Sequence, residues 1–138
     1  MSFDDIKTGS VIEYPYLWSH EKAGGETEGH KHRSTAVGLR VAVPGQPDLL
    51  FLFPITSRPQ SPGRFAVEIP EIEKRRAGLD VDVPLWLVLD DYNLDAVGAS
   101  YYLEPGSKKG TLSKMFLEPL LDEFIRRRSA FKVADRRA

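Results

Sequence analysis

The chain has 138 residues, 41% of them hydrophobic and 28% charged, with a formal net charge of −1 and no cysteine. That composition suits one ordinary globular domain with its own core, taken as residues 1–138, and the lack of cysteine excludes disulfides and thiolate metal sites. No apolar run approaches the roughly 18 residues of a membrane span, and the opening MSFDDIKTGS lacks the apolar core of a secretory signal, so a cytoplasmic protein without membrane contact is expected. Charge is unevenly spread. Residues 126–138 hold six Arg or Lys against Asp135, which puts +5 on a basic C-terminal tail and leaves −6 on the body. A solvated helix end is the plain reading of that tail; RNA phosphate or an acidic partner are the alternatives.

The first strand is expected over Gly9–Leu17, where β-branched and aromatic residues follow a Thr-Gly turn and Pro15 marks an edge or a bend. Residues 18–32 combine glycines with charges of both signs and no apolar period, which reads as a surface loop long enough to gate a site. Strands at Thr35–Val43 and Leu49–Ile55 flank the turn chemistry of Pro44–Asp48 and form a hairpin, the second strand being apolar on both faces and therefore central. A turn over Ser57–Gly63 leads to a strand at Arg64–Ile69. A short helix follows, with Pro70 at its start and Gly78 at its stop. Pro84–Asp90 reads as another buried strand, Asp90–Asp95 as a strand end followed by a polar turn, and Gly98–Leu103 as a continuation of the sheet. Thr111–Phe131 has a helical period through Leu112, Met115, Phe116, Leu120, Phe124 and Phe131, with Ser113 or Thr111 as N-cap and Pro119 expected to kink or split it. The fold class expected is mainly β within α+β: five to six strands in a small barrel or strongly bent sheet, with a short helix and a C-terminal helix.

Two segments hold the chemistry. EGHKHRSTAV (Glu28–Val37) is a charged loop entering a strand, and LLFLFPITSRP (Leu49–Pro59) is an apolar strand that breaks off into Thr56, Ser57 and Arg58. Hydroxyls and guanidinium groups delivered to the rim of a sheet are the makings of an anion site. In that order and about two dozen residues apart, these segments resemble the MazF/PemK family of toxin endoribonucleases, in a divergent PemK-like branch. Gly9, Val11, Lys31 and Arg33 match the family's opening pattern, with Ser34 standing where the family usually has proline. Pro54, Ile55, Thr56 and Ser57 match its P-I-T-S strand end. Trp86, Asp90 and Asn93 carry a third match within RRAGLDVDVPLWLVLDDYN, and Gly110–Phe116 looks like the entry to the family's last helix.

The resemblance implies an SH3-like barrel, a homodimer, that cleaves single-stranded RNA without metal or other cofactor and is neutralised by a small antitoxin protein. It makes Arg33 and Thr56 the catalytic residues. Attack of a ribose 2′-hydroxyl on the adjacent phosphate builds negative charge that a guanidinium can hold, whereas a threonine hydroxyl is a poor base. The proton acceptor is then sought among His32, His30 and Glu28. Lys31, Ser57, Arg58 and Arg64 are the candidate RNA contacts. Each type also has a plainer role: Arg33 in a surface ion pair, Thr56 and Ser57 capping a turn, Arg58 and Arg64 as solubilising charge, and Tyr14, Tyr16 and Trp18 in packing rather than base stacking. His30 and His32 share one face of an extended segment, but with Glu28 or His20 they do not complete a closed zinc set, and no metal site is expected. A non-catalytic binding or regulatory module on the same fold is the alternative function.

Overall fold

A computed structural model of the protein describes residues 2–24 and 32–137. The sheet is built around two long strands, β2 (Arg33–Val43) and β3 (Gln46–Thr56), joined by a turn at Pro44 and Gly45. Gly45 sits at φ +72°, a conformation that costs glycine nothing. β1 (Ser10–Tyr14) pairs with β2 on one edge and with β7 (Lys108–Thr111) on the other, so β1 is internal, and Pro15 ends it rather than marking an edge.

β3 serves three neighbours. One edge runs along β2, while the other pairs with β6 (Asp91–Ala96) through Leu49–Leu52 and with β5 (Trp86–Val88) through Ile55 and Thr56. The changeover falls at Phe53 and Pro54, where proline has no N–H to give to a ladder. β4 (Ala66–Glu68) extends the β5 side, and β8 (Lys132–Asp135) pairs with β6 in parallel; the other pairings are antiparallel. Among the described residues this makes eight strands with three short helices, α1 (Ser19–Ala23), α2 (Glu71–Arg76) and α3 (Lys114–Arg127). The mainly β, α+β expectation holds at that level, with more strands than the five or six foreseen.

Alternation along the strands divides the interior in two. Val11, Ala36, Phe51, Phe53 and Ile55 face α3, whose Leu117, Leu121 and Phe124 recur at four and three residues, and the Phe53 and Phe124 rings meet edge to face at 4.8 Å. Ile12, Tyr14, Val37, Leu50 and Leu52 face the other way, onto Ile6, Tyr16 and Leu103. β6 has the same division. Tyr92 joins the first core, whereas Asp91, Asn93 and Asp95 point to the second and are buried there. The tyrosines make this possible: Tyr14 donates its hydroxyl to Asp95 Oδ2 at 2.6 Å and Tyr16 to Asp91 Oδ1 at 2.5 Å. Asn93 exchanges two bonds with the Leu17 backbone, donating to its carbonyl at 2.7 Å and accepting its amide at 3.0 Å.

Several expectations are corrected by these contacts. Asp90–Asp95 is not a turn but largely a strand, because hydroxyl donors from β1 and the segment after it satisfy its polar side chains. Gly98–Leu103 does not continue the sheet; Ser100 Oγ folds back to Asp95 Oδ2 at 2.6 Å and accepts the amides of Tyr102 and Leu103. The segment 18–32 is not wholly irregular, since α1 occupies part of it. The basic tail is partly structural: β8 lies on β6, and Arg136 is buried, its guanidinium 3.8 Å from the Tyr102 ring centre and donating to the Pro15 carbonyl at 2.8 Å. α3 runs unbroken through Pro119, which faces solvent, and Ser113 caps it by accepting the Phe116 amide. Its buried stripe is Leu117, Leu121 and Phe124, so Met115, expected within the stripe, stands 89% exposed.

The β2–β3 register shifts between Val37 and Leu39, which makes Gly38 the extra residue of a bulge. A Cβ there would lie 2.1 Å from the buried Phe53 ring. Gly38→Ala is therefore expected to lower unfolding stability by about 2 kcal/mol or more, read from urea denaturation followed by circular dichroism; an unchanged midpoint would show that Phe53 can move aside.

Candidate functional site

The second core does not close at the end of β2 and β3. Thr35 pairs with Pro54, and continuing that register two residues sets Arg33 opposite Thr56 on the face that carries Ile12 and Tyr14. Tyr14 pairs with Arg33 from the β1 side and Trp86 with Thr56 from the β5 side, so one row, Tyr14–Arg33–Thr56–Trp86, crosses the sheet. Arg33 and Thr56 both line a cleft of about 950 Å³ that opens beyond this row.

Trp18 and α1 form one wall. The ladder of Asp91 and Asn93 determines where this wall stands, since Ser19 Oγ donates to Asp91 Oδ2 at 2.5 Å and Leu17 is bonded to Asn93. Trp18 then presents its ring to Arg33, whose guanidinium carbon is 5.4 Å from the ring centroid. Arg33 Nε is buried with no hydrogen-bond partner among the described residues. Burial pulls the Arg33 pKa below the ordinary arginine value, against the opposing pull of Glu21 and Tyr16, and the charge of Arg58 adds weakly to the lowering. A partly desolvated guanidinium beside a second arginine is stabilised by any anion that enters.

Thr56 is buried, and its Oγ1 accepts the Arg58 amide at 3.1 Å. The turn-capping role foreseen for it is real, and accepting that amide does not use the hydroxyl's own proton. Ser57 and Arg58 follow as exposed lining residues. Arg64 lines the cleft too, but its Nε and Nη2 grip Asp90 at 2.7 Å each, a bidentate pair that the Phe65 amide reinforces at 3.0 Å. C-terminal residues line the cleft as well: Arg127 at the end of α3, then Ala130, Phe131 and Lys132.

His32 is exposed and does not line the cleft, whereas Glu28, His30 and Lys31 lie outside the described residues. Among the described residues the lining histidine is His20, with Glu21 beside it, both on α1. Neither stood among the expected acid–base groups. A helix of five residues has too little periodicity to reveal itself, and the Glu21 carboxylate that caps it on the Trp18 amide at 2.9 Å is the one local signal. Tyr14 and Tyr16 are packing residues, as expected. Burial first, and then their aspartate partners, push both phenols well above their ordinary value and keep them neutral donors. Trp18 packs as expected too, edge to face on Tyr16 at 5.1 Å against the second core, and it also lines the cleft. Among the described residues no group of three or more His, Asp or Glu is arranged to hold a metal ion, and no helix is long and apolar enough to cross a membrane. No protein-family model and no curated protein sequence matches the chain.

Burial alone would raise the Asp90 carboxyl, but hydrogen bonds from Arg64 and the Phe65 amide outweigh it and hold the group below its ordinary 3.8. A depressed carboxyl contributes stability that is fully present above pH 3.8 and is lost as the pH falls through the folded-state value. Asp90→Asn should therefore flatten the acid limb of melting temperature against pH while leaving the slope near neutrality unchanged. A variant that melts with the parental acid limb would show that the pair adds nothing to stability.

Proposed function

We propose that the protein is a metal-independent endoribonuclease acting on single-stranded RNA, with Arg33 and Thr56 at the reacting phosphate. The reading is carried by one observation: Arg33 and Thr56, at the open ends of the β2–β3 hairpin, line one cleft that gathers Arg33, Arg58, Arg64, Arg127 and Lys132 against Glu21, Asp90 and Asp91, on a chain whose body is otherwise acidic. A concave site with excess positive charge on an acidic protein selects a polyanion by place rather than by bulk charge.

In this mechanism the ribose 2′-hydroxyl attacks the neighbouring phosphorus and displaces the 5′-oxygen of the next nucleotide. Arg33, stacked on Trp18, holds the charge that grows on the phosphoryl oxygens, and the Thr56 hydroxyl donates to one of them. His20 replaces His32 as the lining group whose residue type suits proton transfer near neutral pH. The wider reading goes with it: the sheet curls as an SH3-like barrel of MazF/PemK type, and the protein is the toxin of a toxin–antitoxin pair, a cytoplasmic homodimer neutralised by a small antitoxin protein. A non-catalytic binding module has one observation on its side, the engagement of Thr56 Oγ1 by the Arg58 amide.

The purified protein is expected to cut a mixed single-stranded RNA pool in EDTA. Arg33→Ala should slow cleavage roughly a hundredfold to a thousandfold and Thr56→Ala roughly tenfold to a hundredfold, with both variants folded by circular dichroism. RNA bound but left intact by the parent would make the protein a binding module, and RNA neither bound nor cut would remove the reading altogether.

A further inference from the structure

The C-terminal wall of the cleft is not used by the mechanism. Arg127 ends α3 with its guanidinium 5.1 Å from the Phe65 ring centroid and 5.2 Å from that of Phe131, over a pair of rings whose own centroids are 5.9 Å apart. Its carboxylate partner is shared: Glu123 takes Arg126 closely and Arg127 Nη1 at 3.5 Å, so one negative charge answers two guanidinium groups. Lys132 is exposed, and its amide donates to the Asp90 carbonyl at 3.1 Å, which anchors its backbone to the residue that grips Arg64. Arg64 and Asp90 cancel, and what the end of the cleft then offers an incoming ligand is Arg127 and Lys132.

We propose that this end is a second phosphate subsite, in which Arg127 and Lys132 take a backbone phosphate of the same RNA strand next to the one held at Arg33 and Thr56. The proposal rests on the RNA reading above. An aromatic seat fixes the plane of a guanidinium and leaves its N–H edge for the fork of a phosphate, while lysine adds a point charge. Both groups lie in the basic segment 126–138, so the tail has a division of labour. Arg136 is buried as part of the framework, and Arg127 and Lys132 face the ligand. The subsite is sequence-independent, as phosphate contacts are.

Binding of a fluorescein-labelled 2′-O-methyl oligoribonucleotide of mixed sequence, which transesterification cannot cut, tests this apart from catalysis. The dependence of log Kd on log salt should lose about 0.7 for each single-strand phosphate contact removed. Lys132→Gln, at an exposed position, is expected to lose about that amount, and Lys132→Gln with Arg127→Gln about twice it. Parental slopes in Lys132→Gln and in a folded double variant, alongside weakened binding in Arg58→Gln, would overturn the second subsite and leave the nuclease reading standing. Failure of the parent to bind the oligonucleotide at any salt would overturn both.

Discussion

The alternating polar side chains of β6 are the constraint on which the rest of the molecule depends. Asp91, Asn93 and Asp95 project from one face of a strand into the second core, where each unpaired group would cost about 1–3 kcal/mol. They are satisfied by Tyr16 and Ser19, by the Leu17 backbone, and by Tyr14 and Ser100. Arg136 closes the set from the other terminus, donating to Asn93 Oδ1 at 3.2 Å and to the Pro15 carbonyl. A half-satisfied network of this kind is worse than an apolar core, so β1, the segment after it and the C-terminal strand are committed together. The cleft is a consequence: holding Leu17 and Ser19 in place sets Trp18 against Arg33 and puts α1 on the rim.

Electrostatics then separate the framework from the opening. Within the ladder, carboxylates meet neutral phenols and hydroxyls whose protons burial keeps in place. On the rim, Asp90 and Arg64 neutralise each other by a bidentate pair. Arg33 is different: its Nε is buried without a described hydrogen-bond partner, and burial outweighs the opposing pull of Glu21 and Tyr16 on its pKa. Burying a cation this way costs stability, which an entering anion offsets.

Where local pattern and tertiary demand agree, the structure was legible in sequence. The Leu49–Ile55 run is central because it is apolar on both faces, Pro70 and Gly78 bound α2, Ser113 caps α3, and the apolar strand that stops at Thr56 does deliver hydroxyl and guanidinium groups to a cleft. The misses share one cause. β6 is rich in Asp and Asn, residues depleted in strands, and its strand character depends on tyrosines some 75 to 81 residues away. β8 reads as a charged tail because two of its four residues are ionic, yet Arg136 just beyond it is buried between aromatic rings. The Met115 assignment failed because apolar residues on α3 support two overlapping stripes, and packing against Phe53 selects the one through Leu117, Leu121 and Phe124. His20 carries no acid–base signal in the sequence, since only the folding of Leu17 and Ser19 onto β6 brings it to the rim.

The most direct test of the central claim uses an RNA oligonucleotide mapped for its cut site and then resynthesised with a single 2′-deoxy nucleotide at that position. Attack by the 2′-hydroxyl at the Arg33–Thr56 cleft predicts that the modified strand binds with parental affinity and is no longer cut there, and that the unmodified strand yields a 2′,3′-cyclic phosphate and a 5′-hydroxyl end. Cutting of the 2′-deoxy strand at the same bond, leaving a 3′-hydroxyl end, would contradict the account and point to an external water as the nucleophile.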